Sequence, residues 1–312
     1  MKKIPKIVKH IQSYSPPGVD FSFQKVISYS QLSIFRGCPL RWALHYKEGQ
    51  KRFTSNIHTV FGSALHKTIQ YYLQVMYSKG DNVADEENLN ELFEENLRDE
   101  YKLQYIGNNK QHFCTPEELG EFFDDGTVIL DYFKKKKKQY FGKRGWYLVG
   151  CEFPLTLAPH EFFPNVIYQA YLDLVMYYEP TNTFRIIDLK SSTRGWNDLA
   201  KKDEDKQFQL IFYKKFFSEK FKIPYENINV EFLILKRKIW EESKYPQSRI
   251  QSYSPPSGKI KINKASASLK EFIEEVFNKH GYKDQKYKPT PSKDSCFFCP
   301  YKNEKELCSV GV

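Results

Sequence analysis

The chain has no apolar run long enough for a bilayer. Uncharged stretches such as Phe232-Leu233-Ile234-Leu235 fall far short of the ~20 residues that a membrane-spanning helix needs. After Met1-Lys2-Lys3, the residues Ile4-Pro5-Lys6-Ile7-Val8-Lys9-His10 supply no apolar core for a signal peptide. There is no Gly-x-x-x-x-Gly-Lys-Ser/Thr phosphate loop, so any nucleotide-driven motor has to be a separate partner. Arginine is scarce, 9 residues against 39 lysines, which fits an AT-rich genome and, with it, a phage-encoded protein in a bacterial host. Cysteine is scarce too, and without a secretion signal six cysteines do not suggest a disulfide framework. The chain reads as an intracellular, cytoplasmic protein with no membrane partner.

What is present is aromatic and basic. Of 312 residues, 40% are hydrophobic, with 22 Tyr and 25 Phe; that supplies a sizeable core and excludes disorder as the main state. The length suits one large domain or two small ones. The net charge of +10 is unevenly spread. Residues 81–125 hold 14 acids against Arg98, Lys102 and Lys110, a local net of −11 that leaves +21 on the rest. A basic body with one acidic insertion suits a polyanionic partner; a lysine-rich surface that serves only solubility is the alternative.

Residues 1–24 read as an irregular lead. A helix begins with Ser28 or Ser30 as N-cap and continues past Cys38, and another starts after Gly62. Two more helices, over 84–104 and 116–141, fall within an insertion spanning 75–142. The run Lys134 to Lys138 that ends it is expected to be a solvated helix face, with phosphate contact as the alternative. From Tyr147 the pattern turns to strands, at 147–153, 166–178 and 184–190. A helix over 205–219, a strand over 230–236 and a helix over 267–280 follow. This order implies an α/β sandwich around a short sheet. The heptapeptide Ile11-Gln12-Ser13-Tyr14-Ser15-Pro16-Pro17 recurs at Ile250–Pro256, too short to be a repeat architecture.

The sharpest chemistry lies between Val166 and Ser191. If Glu179-Pro180-Thr181-Asn182 forms a four-residue hairpin loop, Tyr178 faces Thr183, and counting inward sets Asp173 opposite Asp188. Lys190, two residues on, projects from the same face. A one-residue slip would destroy this arrangement. Adjacent carboxylates repel unless a cation joins them, and carboxylate oxygens suit Mg²⁺ or Mn²⁺. Lys190 could then orient or deprotonate an attacking water while the metal stabilises charge on a phosphoryl oxygen. A plain cross-strand salt bridge is the competing reading, but Ile186-Ile187-Asp188-Leu189-Lys190 sets two charges in a strand otherwise fit for burial, where charge is costly.

Cys296-Phe297-Phe298-Cys299 is a metal-type thiol pair, with Cys308 nearby and Cys38, in Cys38-Pro39, the best fourth ligand. Cys114 and Cys151 are expected to be apolar fillers.

In this order the motifs resemble those of the PD-(D/E)XK nuclease superfamily, specifically its RecB-like and AddB-like exonucleases that carry an iron–sulfur cluster. They run from Ser28 to Cys308. Ile27-Ser28-Tyr29-Ser30-Gln31-Leu32 with Cys38-Pro39 is similar to the family's opening helix and first cluster cysteine. Gly62-Ser63-Ala64-Leu65-His66 is similar to its Gly-x-x-x-His motif, Asp173 to its metal-binding aspartate, Asp188-Leu189-Lys190 to (D/E)-x-K, and Gln209-Leu210-Ile211-Phe212-Tyr213 to Gln-x-x-x-Tyr. Three positions depart from the pattern: Leu172 replaces a proline, Ala170 stands where glycine is frequent, and eight residues separate Cys299 from Cys308 where five are usual.

The resemblance implies a restriction-endonuclease-like core over 25–312, a central mixed sheet flanked by helices with the helical insertion. A C-terminal cysteine cluster at 290–312 would be latched to the N-terminal part. It implies catalytic Asp173, Asp188, Lys190, Gln209 and Tyr213, and a divalent metal on His66, Asp173, Asp188 and the Leu189 carbonyl. A four-iron, four-sulfur cluster would sit on Cys38, Cys296, Cys299 and Cys308, with a tetrathiolate Zn²⁺ site as the alternative. The implied activity is metal-dependent hydrolysis of DNA at ends or single strands, in repair or recombination, with a separate helicase or recombinase as partner. A CRISPR-adaptation-type trimming nuclease and a non-catalytic DNA-end-binding module remain the alternatives.

Overall fold

The computed structural model describes residues 4–50 and 55–312. In chain order its elements are α1 (Lys6–Gln12), β1 (Lys25–Ile27), α2 (Tyr29–Gly37), α3 (Pro39–Trp42), α4 (Ile57–Ser78), α5 (Asp81–Glu86), α6 (Leu89–Gly107) and α7 (Pro116–Tyr140). Then come β2 (Trp146–Leu157), β3 (Val166–Tyr178), β4 (Thr183–Ser192), α8 (Asp198–Lys202), α9 (Glu204–Phe221), β5 (Ile228–Lys236) and β6 (Ile250–Tyr253). The chain closes with α10 (Lys259–Val276), β7 (Phe277–Asn278), β8 (Gly281–Tyr282) and α11 (Lys293–Phe297). None of the helices among the described residues is long and apolar enough to cross a membrane.

The chain divides into two compact units, each built from segments distant in sequence. One comprises Met1–Tyr14, Ser55–Phe153 and Tyr171–Ser257; the other comprises Ser15–Thr54, Pro154–Ala170 and Gly258–Val312. Strands β2 and β3 each contribute residues to both units.

The first unit is an α/β layer structure around a mixed sheet. Strand β3 pairs antiparallel with β4, β4 parallel with β5, and β5 antiparallel with β6. The β3–β4 register has Tyr178 facing Thr183 and Leu174 facing Ile187, as expected of a four-residue connection. Asn182 makes the turn possible with a left-handed φ of 51°. Strand β4 is paired on both sides, so its apolar residues Ile186, Ile187 and Leu189 are buried. Leu174, Met176, Ile187, Leu189, Leu233 and Leu235 pack with α4, α6 and α7. On α9, Phe208, Phe212, Phe216 and Phe217 are fully buried, and Phe217 meets Phe184 of β4. A helix apolar around most of its circumference is a core helix.

The insertion helices belong to this core. Arg237, 6% exposed, pairs with Asp125 and Glu121 of α7 and lies 3.3 Å from the Phe122 ring centre. Its backbone N–H donates to Ser192 at the end of β4, and that of Lys238 to Thr193. Acids of the insertion thus neutralise cations of their own sheet. The lysine run also departs from expectation. Lys135, Lys136 and Lys138 are exposed, but Lys137 is buried, 2.5 Å from Asp85 and over the Tyr72 ring, and Lys134 donates to the Glu87 carbonyl. Any five consecutive residues of a helix pass over its buried face.

Several helix boundaries and one irregular segment differ from expectation. Helix α4 begins at Ile57, because Asn56 caps it by accepting from the Thr59 N–H, and Gly62 lies within it. Helix α10 starts and ends earlier, at Lys259 and Val276, where the chain turns into the β7–β8 hairpin. The N-terminal lead contains α1, whose Val8 and Ile11 are buried. Ser28, not Ser30, caps α2.

In the second unit, β1 runs parallel to the first residues of β3, with Lys25 facing Val166. The N- and C-terminal parts are tied directly: Arg41 donates to the Ser295 and Phe298 carbonyls, and the Thr290 hydroxyl to that of Gly37.

Two glycines of α7 give opposite predictions. A Cβ at Gly126 would lie 2.2 Å from the ring of fully buried Phe93, whereas one at Gly120 meets nothing within 4 Å. Urea unfolding should show Gly126→Ala destabilised by about 1–3 kcal/mol through overpacking and Gly120→Ala unchanged or stabilised by up to about 1 kcal/mol through helix propensity. Equal effects would contradict this packing of α7.

Candidate active site

The hairpin brings Asp173 and Asp188 together where the β3–β4 ladder ends. The last paired residues are Leu174 and Ile187. One step further the Leu189 N–H is taken by a side chain: it donates to Asp173 Oδ2 at 2.7 Å. The strands part here, and the Asp173 carboxylate fills the space between them. Asp188, held in the central strand, is only 1% exposed.

Lys190 follows Asp188 by two residues and so lies on the same face. Its Nζ is 2.7 Å from Asp188 Oδ2 and donates to Gln209 Oε1 at 3.0 Å; the Gln209 amide donates to the Tyr213 hydroxyl at 2.8 Å. Gln209 and Tyr213 share a face of α9 because four residues make about one turn, and Asp203 caps that helix through the Asp205 and Lys206 N–H groups. His66, on α4, places Nδ1 3.5 Å from Asp173 Oδ2. Helix α4 comes close to β4 at the glycine four residues earlier: a Cβ at Gly62 would lie 3.1 Å from the Ser191 hydroxyl, which would have to shift.

Sequence reasoning missed Gln70 and Glu152. The buried Gln70 amide, one turn beyond His66, donates to Glu152 Oε1 at 2.7 Å and to the Asp173 carbonyl at 3.2 Å. Glu152 adds negative charge felt by both His66 and Asp173. The i, i+4 spacing of His66 and Gln70 was a readable signal; the conformation of Glu152 was not.

Burial dominates the electrostatics. It pushes the Asp173 and Asp188 carboxyls up to about 6 each, against the pull of Lys190 on both. Burial lowers the His66 imidazole to about 4; Lys190 pushes the same way, while Asp188 and Glu152 oppose. Burial also disfavours the Lys190 ammonium, yet Asp188 and Asp173 together outweigh it and raise its pKa, so Lys190 stays charged.

The donor chemistry suits a divalent cation: two carboxylates and a neutral imidazole. Asp188 Oδ2 touches Lys190 but has no aligned hydrogen-bond donor, and buried carboxylate oxygens are normally satisfied. Among the described residues, no three His, Cys, Asp or Glu side chains are drawn into a formed metal site. The same holds for the thiols. Cys38, Cys296, Cys299 and Cys308, all free, line one cleft with Arg41 and Tyr301, and thiolates suit iron–sulfur or zinc by kind. Cys114 and Cys151 instead pack against the helical core.

Among family models, the one described as the PD-(D/E)XK nuclease superfamily matches residues 26–304. No curated protein matches the chain. The chain belongs to the PD-(D/E)XK nuclease superfamily. Membership implies a nuclease-type function and hydrolysis of phosphodiester bonds, and nucleases of that superfamily commonly use Mg²⁺ or Mn²⁺.

The buried carboxylates make stability depend on pH. Between the usual aspartate pKa and about 6, folded Asp173 and Asp188 keep protons that the unfolded chain has released, so their contribution falls as pH rises through that window. His66 acts oppositely between about 4 and its ordinary value, because there the unfolded chain binds the extra proton. Comparison with Asp188→Asn isolates one carboxylate. In metal-free protein this variant should be more stable than the wild type by about 1–3 kcal/mol at pH 7.5, the gain vanishing near pH 4. A pH-independent difference in chemical denaturation would contradict the assignment.

Proposed function

We propose that the protein is a metal-dependent deoxyribonuclease of RecB-like type, an exonuclease that hydrolyses DNA at ends or single strands in repair or recombination. One observation carries this reading: Asp173 and Asp188 meet where the strands part, and Lys190, Gln209 and Tyr213 continue from them through an ion pair and two hydrogen bonds. That line occurs in a chain of a nuclease superfamily.

His66, Asp173 and Asp188, with the Leu189 carbonyl, would hold Mg²⁺ or Mn²⁺, which supplies Lewis-acid stabilisation of charge on the phosphate. Lys190, kept protonated by its carboxylate neighbours, donates to the attacking water or to a phosphate oxygen. Gln209 fixes the ammonium from one side and Asp188 from the other, so its direction is set before substrate arrives. Tyr213 fixes the Gln209 amide in turn. The water oxygen bonds to phosphorus and gives up a proton to solvent, the phosphorus–oxygen bond of the backbone breaks, and the leaving oxygen takes a proton from solvent. The chain's net charge of +10 favours capture of the polyanion.

The four thiols Cys38, Cys296, Cys299 and Cys308 would hold a four-iron, four-sulfur cluster or Zn²⁺, clipping the N-terminal helices of their unit to its C-terminal tail. Their shared cleft supports this. A separate helicase or recombinase would present the DNA.

Digestion of end-labelled linear and covalently circular single-stranded DNA, with Mn²⁺ or Mg²⁺, tests the reading. Linear but not circular DNA should be degraded, and Lys190→Ala and Asp188→Ala should each lose at least about 100-fold in rate. Cutting of circles would replace the exonuclease reading with an endonuclease. Full turnover by either variant would refute the catalytic assignment.

A further inference from the structure

Strand β2 loses its regular period beside the site. Trp146, Leu148 and Cys151 all pack against the same helical core, yet Leu148 and Cys151 are three residues apart, and a regular strand places such residues on opposite faces. The break is local. Glu152 has φ of +45°, a left-handed conformation that costs a non-glycine residue on the order of 1 kcal/mol or more. Irregularities of this kind re-aim a side chain next to functional sites.

Here the re-aimed side chain is a carboxylate. Glu152 is exposed, whereas its partner Gln70 is buried at 5% exposure. One amide nitrogen of Gln70 reaches both Glu152 Oε1 and the backbone carbonyl of Asp173. A side-chain amide carries two N–H donors on that nitrogen, so a single group can link the irregular part of β2 to the residue whose carboxylate occupies the β3–β4 gap. Helix α4 supplies Gln70 and His66 from one face. Displacing the amide would leave both the Glu152 carboxylate and the Asp173 carbonyl without this donor.

We propose that Gln70 is a positioning residue: its amide holds the exposed Glu152 carboxylate at the mouth of the site and fixes the backbone at Asp173, so that Glu152 adds a further negative group to the field of a bound divalent cation. This rests on the metal-dependent reading above and extends it to two residues that do no chemistry on the substrate. Glu152 acts across space or through water, as outer groups around metal sites do, and losing such a group typically costs about 10- to 100-fold in metal affinity.

The test is Mn²⁺ binding alone, without DNA, followed by electron paramagnetic resonance in wild type, Gln70→Met, Glu152→Gln, the double variant and Asp188→Ala. Each single variant at Gln70 or Glu152 should weaken Mn²⁺ binding about tenfold, and the double variant should be no weaker than the worse single one. Additive losses, or unchanged affinity in Gln70→Met, would overturn the proposal. Should Gln70→Met not fold, the exposed Glu152→Gln decides: unchanged affinity overturns the proposal, and a tenfold loss supports it. Failure of the underlying reading looks different, since the wild type would then bind Mn²⁺ no better than Asp188→Ala.

Discussion

A carboxylate buried in the central strand constrains the rest of the first unit. Asp188 is almost wholly removed from water in a strand paired on both sides, where an isolated charge would cost several kcal/mol. Asp173 is its neighbour, so burial and repulsion act together. The fold accommodates the pair by ending the β3–β4 ladder there, giving Asp173 the Leu189 N–H and Asp188 the Lys190 ammonium. Helix α9 then has to present Gln209 to Lys190, and α4 has to approach closely enough for His66 and Gln70. The aromatic packing of Phe217 against Phe184 and the glycine at Gly62 serve that requirement.

The acidic insertion is part of the same economy of charge. Its Glu121 and Asp125 engage Arg237 and Lys238, whose backbone N–H groups bond to the chain at and just past the end of β4. The charge asymmetry visible in the sequence is therefore in part an internal pairing. A buried arginine that loses such partners becomes an uncompensated charge, typically worth 3–5 kcal/mol, so α7 and the strand ends it braces are energetically linked.

Much of this was legible in the residues. The four-residue loop set the hairpin register, and register alone brought Asp173 to Asp188. Alternation then put Lys190 on the Asp188 face, and helical spacing paired Gln209 with Tyr213. What was not legible depends on tertiary context. The heptapeptide Ile11–Pro17 begins at the end of helix α1, while its copy Ile250–Pro256 begins as edge strand β6 paired with β5. The same residues bury their isoleucine in both settings, so local propensity decides neither. Lys137 looked solvated because its partner Asp85 is distant in sequence. Glu152 was invisible because no sequence rule places a glutamate in left-handed backbone.

The central claim is that the gap between Asp173 and Asp188 is a cation site serving hydrolysis. Anomalous scattering from crystals of the intact protein soaked in Mn²⁺ addresses it most directly. The account predicts a strong manganese peak within ligand distance of Asp173 and Asp188 and adjacent to His66, absent in Asp188→Ala. A peak elsewhere, or none at saturating Mn²⁺ with Lys190 still closed on Asp188, would show the constellation to be a structural salt bridge.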